Sequence, residues 1–188
     1  MEDYAYVIEF LPSGRASQLR KEPIVQLVGM KFFTLLEATA KAGVNISIGQ
    51  KIFVGRDGRS EIEKIRGRIT FSDLSSSVKD FLQSSLRKVI EDREADFIAF
   101  INNSKSISIR VHTLDLLPGI GKKNMEAILE ERSKKPFDNF ADLKARVSTL
   151  SDPIGIFVHR IINEMDGKEK YYLFTKPPFH VEQRSYRY

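Results

Sequence analysis

Hydrophobic and polar residues alternate through much of residues 1–74, in short runs rich in β-branched and aromatic side chains. Turn-forming residues separate these runs at positions 12–14, 41–43 and 55–58. The pattern predicts five short strands, at residues 4–10, 24–28, 32–39, 51–54 and 61–71. Five strands of this length are typical of a meander or of a small OB-like β-barrel, and the pattern alone leaves both open.

The pattern changes to a helical period after residue 75. Apolar residues recur every three or four positions over 78–90 and again over 94–101, which predicts two helices. Ser77 and Asp80 have the spacing of a capping box, so we expect the first helix to begin there. These helices, within residues 75–103, are expected to bridge a strand-rich half and a helical half.

The segment 117–121 has the sequence Leu-Pro-Gly-Ile-Gly and is followed by Lys122 and Lys123 at the start of an amphipathic helix. Glycine adopts positive φ without a Cβ penalty, so Gly119 and Gly121 allow a tight turn whose backbone N–H groups converge. The helix adds unpaired N–H groups and the positive end of its dipole, and the lysines add full charges. This combination predicts a contact to backbone phosphate, with little preference for base sequence.

The same segment resembles the helix-hairpin-helix family of nucleic-acid binding modules, whose hairpin has this leucine-proline-glycine-isoleucine/valine-glycine pattern. Ile120, the apolar residue between the glycines, is expected to fill the space between the helices. A plain turn that joins two helices explains the same glycines and proline, and this alternative stays open.

The rest of the helical half carries weaker signals. Asp138 is expected to cap the next helix, with Phe137 packed against it as a hydrophobic staple. Paired modules of this kind have a second hairpin, expected here after Val147. Asp152 and Pro153 have instead the pattern of an ordinary helix start. We therefore expect a core helix from residue 153 in place of a functional second hairpin.

Alternation in the last predicted strand places Lys64, Arg66 and Arg68 together on one face, close in sequence to the loop 56–59. Small barrels bind single strands through faces and loops with basic and aromatic groups, so this basic stripe is a candidate contact. A solvated strand face explains the stripe equally well. Aromatic residues that can stack on bases, but that more often belong to a core, are Tyr4, Tyr6, Phe32, Phe33 and Phe53.

Composition limits the classes of function. The 188 residues include no cysteine and carry a net charge of +5, which excludes disulfides and thiolate metal sites. Residues 1–103 have 15 basic and 14 acidic side chains and residues 104–188 have 15 and 11, so the excess charge lies in the hairpin half. No apolar run approaches the ~18 residues of a membrane span, and no secretory signal is apparent. We expect a soluble, cytoplasmic protein with no membrane partner.

Catalytic chemistry is not indicated. His112, His159 and His180 are scattered, and neither a zinc-binding spacing nor a nucleophile elbow occurs. Residues 119–123 lack the long glycine spacing that wraps a nucleoside triphosphate. We predict no catalytic residue, no metal site and no cofactor, and a protein that is not an enzyme.

The whole chain resembles an archaeal family of unknown function for which RNA or nucleotide binding is proposed. The resemblance rests on residues 10–14, 33–37, 68–69, 117–121, 127–132 and 167–173. It implies an OB-like N-terminal domain and a helix-hairpin-helix C-terminal domain, and it favours RNA over DNA.

The sequence thus predicts an α+β protein of two domains. These are an OB-like β-barrel (1–74) and an all-α helix-hairpin-helix domain (104–166), joined by bridging helices (75–103) and followed by a C-terminal extended segment (167–188). We expect a non-catalytic nucleic-acid binding protein that grips phosphate through residues 118–121, with Lys122 and Lys123 beside them. Lys64, Arg66 and Arg68 form the second candidate surface. The alternative is a protein–protein adaptor built from the same folds, with partners that the sequence does not identify.

Overall fold

A computed structural model describes residues 1–15, 21–109 and 111–177 of the chain. These residues form an α+β protein that divides into two compact units. The first unit comprises Met1–Leu86 together with the chain from Asn163 onward, and the second comprises Arg87–Ile162.

The first unit contains a curled five-stranded antiparallel sheet. Its strands are β1 (Tyr4–Leu11), β2 (Ile24–Gly29), β3 (Leu35–Ala40), β4 (Lys51–Phe53) and β5 (Ile62–Arg68). The order is β4-β1-β2-β3-β5, so β4 and β5 form the two edges. The five predicted strands are confirmed. A closed OB-like barrel is not confirmed, because within the described residues the two edge strands do not pair with each other.

The strand β3 begins three residues later than alternation predicts. Residues 32–34 belong to the turn between β2 and β3, where Phe33 has a φ of 54°. Left-handed backbone is costly for a residue with a Cβ and persists only where the surroundings hold it. Phe33 is 3% exposed, so its buried ring holds this conformation in place.

Both faces of the central strands are buried. One face contributes the apolar cluster of Ala5, Val7, Val25, Leu27, Leu36, Ala38, Ala40, Ile46, Ile52, Val54 and Ile62. The other face of β3 includes the buried polar residues Glu37 and Thr39. Buried polar groups require partners. Arg15 donates to Glu37 at 2.6 Å, and Arg66 donates to the Thr39 hydroxyl at 2.9 Å.

Two helices follow the sheet, α1 (Ser76–Asp92) and α2 (Glu94–Asn103), as the helical period predicts. The predicted start of α1 is wrong. The N–H of Val78 donates to Oγ of Ser75, so Ser75 caps the helix, and both Ser77 and Asp80 lie inside it.

The second unit continues with a short antiparallel hairpin, β6 (Ser106–Ser108) and β7 (Val111–His112), which is too brief to leave a clear alternation in the sequence. Helices α3 (Lys122–Lys134) and α4 (Phe140–Arg146) and the part of α5 (Pro153–Met165) up to Ile162 complete it. The rings of Phe97 and Phe140 pack on Phe157 in α5, with centroids 4.8 and 6.0 Å away. Asn139 caps α4 by accepting the N–H of Asp142 at 2.8 Å, so the predicted cap at Asp138 is wrong by one residue.

After α5 the described chain, residues 166–177, contains neither helix nor strand. For the predicted extended segment at 167–188, the structure therefore shows irregular backbone over residues 167–177. Residues 178–188, including His180, lie outside the described residues.

Candidate functional site

The predicted hairpin is a tight turn over residues 117–120. The N–H of Ile120 donates to the carbonyl of Leu117 at 3.1 Å, with Pro118 and Gly119 at the two central positions. Gly119 has a φ of 82°. Proline followed by a residue with positive φ is the signature of a type II turn, so glycine is required at position 119. Leu117 and Ile120 are buried and attach both ends of the turn to the unit.

Gly121 has a different role from Gly119. It is the N-cap of α3 with φ −78° and ψ 174°, an extended conformation open to any residue, so the expectation of positive φ does not hold there. Gly121 has no side chain to accept the first N–H groups of the helix, and the first turn of α3 contains no acidic residue. A Cβ added at Gly121 meets nothing within 4 Å, so the space beside this N-terminus is open.

The charges beside this helix start are exposed. The side chain of Lys122 is 85% exposed, with its Nζ 3.9 Å from Glu126, and Lys123 is also exposed. The first N–H groups of a helix have no acceptor within the helix, and the dipole favours an anion at that end. The structure therefore brings a helix N-terminus without a side-chain cap and two lysines to one place.

Two polar side chains that the sequence analysis missed hold the turn. Arg160 on α5 is 1% exposed, and its Nη1 donates to the carbonyl of Leu116 at 2.7 Å. Asn124 donates to the carbonyl of Gly119 at 3.2 Å and accepts from the Thr149 hydroxyl at 2.6 Å. The only trace of Arg160 in the sequence is a cation within the mostly apolar segment 153–165.

The element before the turn is a single 3-10 turn, Thr113–Leu116, and not an α-helix. His112 caps it: its Nδ1 accepts the N–H of Leu114 at 3.1 Å, while Asp115 accepts the N–H of His112 at 2.9 Å. Burial, with a smaller contribution from Arg132, lowers the pKa of His112 and favours the neutral ring that this bond requires. The complete helix-hairpin-helix arrangement is therefore not confirmed.

A second turn in the same unit serves as an internal comparison. The N–H of Leu150 donates to the carbonyl of Val147 at 3.0 Å, and both residues are buried. Here Asp152 caps the following helix α5 by accepting the N–H of Gly155 at 3.0 Å. A hydrogen bond from Arg87 lowers the pKa of Asp152 and keeps it ionised. A carboxylate thus occupies this helix start, as the sequence pattern at Asp152 and Pro153 predicts.

The three residues of the basic stripe predicted on β5 are divided between the two faces of the strand. The register with β3 shifts twice, which leaves Glu63 and Arg66 as extra residues in β5, and each such bulge reverses the alternation beyond it. Lys64 pairs with Thr39, and Arg66 donates to the same threonine and to Glu22. Arg68 pairs with Leu36, whose side chain belongs to the apolar cluster on the opposite face. Lys64, Arg66 and Arg68 therefore do not share one face, and the charge of Arg66 is already paired.

Arg68 lines a cavity of about 250 Å³ in the first unit, beside the turn between β2 and β3. Arg59, Lys176 and the ring of Phe32 line the same cavity. Phe32 and the loop containing Arg59 were among the candidates from sequence. Lys176 was not, because it is more than a hundred positions away along the chain.

Within the described part of the chain, no group of three His, Asp or Glu side chains is arranged to hold a metal ion. None of the helices described is long and apolar enough to cross a membrane.

The fold and the turn define a two-unit α+β protein, in which a curled antiparallel sheet accompanies a helical unit with one glycine turn at an uncapped helix start. The chain belongs to the family described as a protein of unknown function (DUF655), which matches residues 1–176. A protein of Methanocaldococcus jannaschii, named only as uncharacterized, is 37% identical over 177 residues, covering 93% of this chain and 80% of the relative. The crystal structure of Af1531 from Archaeoglobus fulgidus, described as DUF655, is 39% identical with a TM-score of 0.88, covering 93% of this chain and 100% of that chain. These relatives confirm the family expected from sequence, and their names state no function.

Proposed function

We propose that this protein is a non-catalytic nucleic-acid binding protein that holds backbone phosphate at residues 119–123. The observation that carries the proposal is the geometry of the glycine turn. Positive φ at Gly119 turns the chain so that Gly121, which has no side chain, becomes the N-cap of α3. The space beside this N-cap, next to Lys122 and Lys123, is open, and Gly121 has no side chain to accept the first N–H groups of the helix. Backbone N–H groups and lysines at one helix start form a phosphate site.

The second turn of the unit supports this proposal by contrast. Both turns have the same hydrogen bond between buried apolar residues, Leu117 with Ile120 and Val147 with Leu150. The second is followed by the ionised carboxylate of Asp152, which occupies the helix N-terminus and repels an anion. Only the first of these two helix starts combines an absent cap with positive charge. One phosphate contact, and not a symmetrical pair, is therefore proposed for this unit.

Such a contact positions a nucleic acid without reading its sequence. RNA and DNA share the phosphate that the turn engages, so the preference for RNA is carried by the family resemblance alone. The contact is electrostatic, and affinity falls with salt by about 0.7 log units per neutralised phosphate and log unit of salt on single strands.

The test is fluorescence anisotropy with labelled single-stranded RNA, duplex RNA and duplex DNA at two salt concentrations. The sharpest variant is Gly121→Ala, because its backbone conformation suits alanine and the new methyl group enters only the open space. We expect this variant to fold as the wild type does and to bind more weakly. The double variant Lys122→Gln with Lys123→Gln removes two charges and lowers the salt slope by about 1 unit.

A matched control is Lys105→Gln with Lys144→Gln, which removes the same charge from exposed positions elsewhere in the second unit. Wild-type affinity in Gly121→Ala, or an equal loss in the control pair, contradicts a role for the turn.

The protein–protein adaptor is the second candidate. Ile107 and Ile109 in the β6–β7 hairpin are exposed, and exposed apolar side chains favour protein contacts. If none of the three nucleic acids shows salt-dependent binding, the adaptor becomes the favoured function.

A further inference from the structure

We infer that the cavity beside the β2–β3 turn is a second binding site, which takes one nucleotide with its phosphate on Arg68, Arg59 and Lys176 and its base against Phe32. The inference extends the proposed function to the first unit and rests on it for the class of ligand. All the residues involved belong to that unit.

The charges at the cavity favour an anion. Arg59, Arg68 and Lys176 come from the loop after β4, from β5 and from the chain after α5, and they line one space of about 250 Å³. Arg59 is held in place by a hydrogen bond from its Nε to the carbonyl of Gly55. Cations that converge on one concave space raise the local concentration of an anionic ligand.

Among the described residues on this lining, the only acidic side chain is Glu2, and its carboxylate already accepts backbone N–H groups. It is 5% exposed and accepts the N–H groups of Lys31, Phe32 and Thr34 at 2.8, 3.0 and 3.1 Å. Glu2 therefore binds the β2–β3 turn and fixes the backbone of Phe32. Its oxygens are directed to these donors.

The aromatic part of the site is Phe32. Its ring is half-buried, and Nζ of Lys176 lies 5.7 Å from the ring centroid. A ring with an adjacent cation suits a nucleotide, because the base stacks on the ring while the phosphate meets the charge. An inorganic anion does not stack on the ring, and an apolar ligand does not pair with the cations.

A smaller cavity of about 90 Å³ adjoins this space and shares Phe32, Thr34, Arg68 and Lys176 with it. Thr175 lines it, and the buried hydroxyl oxygen of this residue has no hydrogen-bond partner among the described residues. A buried hydroxyl without a partner costs free energy, which a polar group of a ligand recovers. This unsatisfied hydroxyl is an independent sign that the space accepts a ligand with hydrogen-bonding groups.

The position of Lys176 and Thr175 is set by Glu164. This fully buried carboxylate accepts the N–H groups of Leu173, Phe174 and Thr175 at 2.8, 3.0 and 2.9 Å. Two buried glutamates therefore hold the two sides of the site in place. Glu2 binds the turn that contains Phe32, and Glu164 binds the segment that leads to Lys176. Both segments are irregular backbone, which the carboxylates hold in one arrangement before a ligand binds.

The experiment uses the full chain and three probes: a fluorescein-labelled octauridylate, uridine monophosphate and inorganic phosphate. Arg68→Gln and Lys176→Gln each remove one exposed charge from the cavity, and Phe32→Leu removes the ring but keeps an apolar side chain. We expect each variant to weaken octauridylate binding about tenfold, and the two charge variants to lower the salt slope by about 0.7 each. The matched control is Lys64→Gln, an exposed charge on the same strand β5 that lies beside Thr39 and away from the cavity. It is expected to bind as the wild type does.

The probes also distinguish the source of the nucleotide. Binding of uridine monophosphate as tight as that of octauridylate identifies a free nucleotide, and binding of octauridylate alone identifies one residue of a strand. If inorganic phosphate binds as tightly as the monophosphate and Phe32→Leu has no effect, the base contact is wrong. If the cavity variants match Lys64→Gln, the site is wrong. Loss of binding in Gly121→Ala but not in the cavity variants refutes this inference alone, and the reverse result refutes the role of the hairpin alone.

Discussion

The backbone N–H of Thr175 donates to Oε2 of Glu164 across 2.9 Å, and the same carboxylate accepts the N–H groups of Leu173 and Phe174. Glu164 is fully buried on the last turn of α5. Three charge-assisted hydrogen bonds to one carboxylate compensate the cost of removing it from water. The chain after α5 is therefore ordered by a buried anion and not by regular secondary structure.

Replacement of Glu164 tests this arrangement. Glu164→Gln keeps the size of the side chain, but an NH2 group replaces one carboxylate oxygen, and this group faces N–H donors and cannot accept from them. We expect a loss of about 3 kcal/mol in the free energy of unfolding, because hydrogen bonds to a charged acceptor are lost and buried donors are left without partners. Urea unfolding followed by circular dichroism measures it. Glu63→Gln, at an exposed position on β5, is the control and is expected to change stability by less than about 0.5 kcal/mol. Equal stability of the two variants contradicts the role of Glu164.

Gly29 and Glu2 are expected to be coupled. A Cβ at Gly29 occupies the position of the Glu2 side chain, so Gly29→Ala expels the carboxylate from the β2–β3 turn. We expect a cost of about 3 kcal/mol, from overpacking and from the N–H groups left without an acceptor. Glu2→Ala makes room for the new methyl group, so the double variant should cost clearly less than the sum of the two single variants. A double-mutant cycle of unfolding free energies measures the coupling, and additive effects contradict it.

The two hairpin glycines are expected to differ in stability as well as in binding. Gly119→Ala forces a Cβ into a backbone with φ 82°, which costs about 1–2 kcal/mol. Gly121→Ala has an ordinary backbone conformation and no neighbour within 4 Å, so its stability should stay within about 0.5 kcal/mol of the wild type. Thermal unfolding of the two variants side by side measures the difference. A larger loss of stability in Gly121→Ala than in Gly119→Ala contradicts the assignment of the positive φ to Gly119.

His112 gives the stability a dependence on pH. Burial lowers its pKa below the ordinary value of 6.5, so the unfolded chain takes up a proton at higher pH than the folded protein does. The contribution of neutral His112 to the free energy of unfolding is therefore complete above pH 6.5. It is lost as the pH falls from there towards the pKa of His112 in the folded protein. His112→Asn keeps an acceptor for the N–H of Leu114 and does not titrate. Unfolding free energies measured between about pH 5 and 8 should show a steeper decline with acid in the wild type than in His112→Asn. Parallel curves contradict the role of this ring as a cap.

Local patterns predicted much of the fold because their causes are local. The alternation that predicts the five strands and the helical period of α1 and α2 are carried by neighbouring residues. The turn at Pro118 and Gly119 is equally local, since proline and a positive-φ glycine determine its type. Errors at Ser77 and Asp138 were shifts of one or two residues among several residues able to cap.

The division of Lys64, Arg66 and Arg68 shows where such patterns fail. A bulge is a property of the pairing between β3 and β5, so the sequence of β5 alone gives no sign that its alternation reverses at Arg66. The same holds for Arg160, whose partner is a backbone carbonyl 44 positions away.

By itself, the sequence determined the five strands of the sheet and the five helices, the glycine turn with its two lysines, and the ordinary start of α5 at Asp152 and Pro153. Only the tertiary structure decided that β4 and β5 form the edges of the sheet, that Arg68 joins Arg59, Lys176 and Phe32 at one cavity, and that Glu2 and Glu164 order the backbone around it. The physical reason is distance along the chain. Periodicity and turn chemistry act over a few residues, whereas register, burial and buried hydrogen bonds depend on which distant segments the folded chain brings into contact.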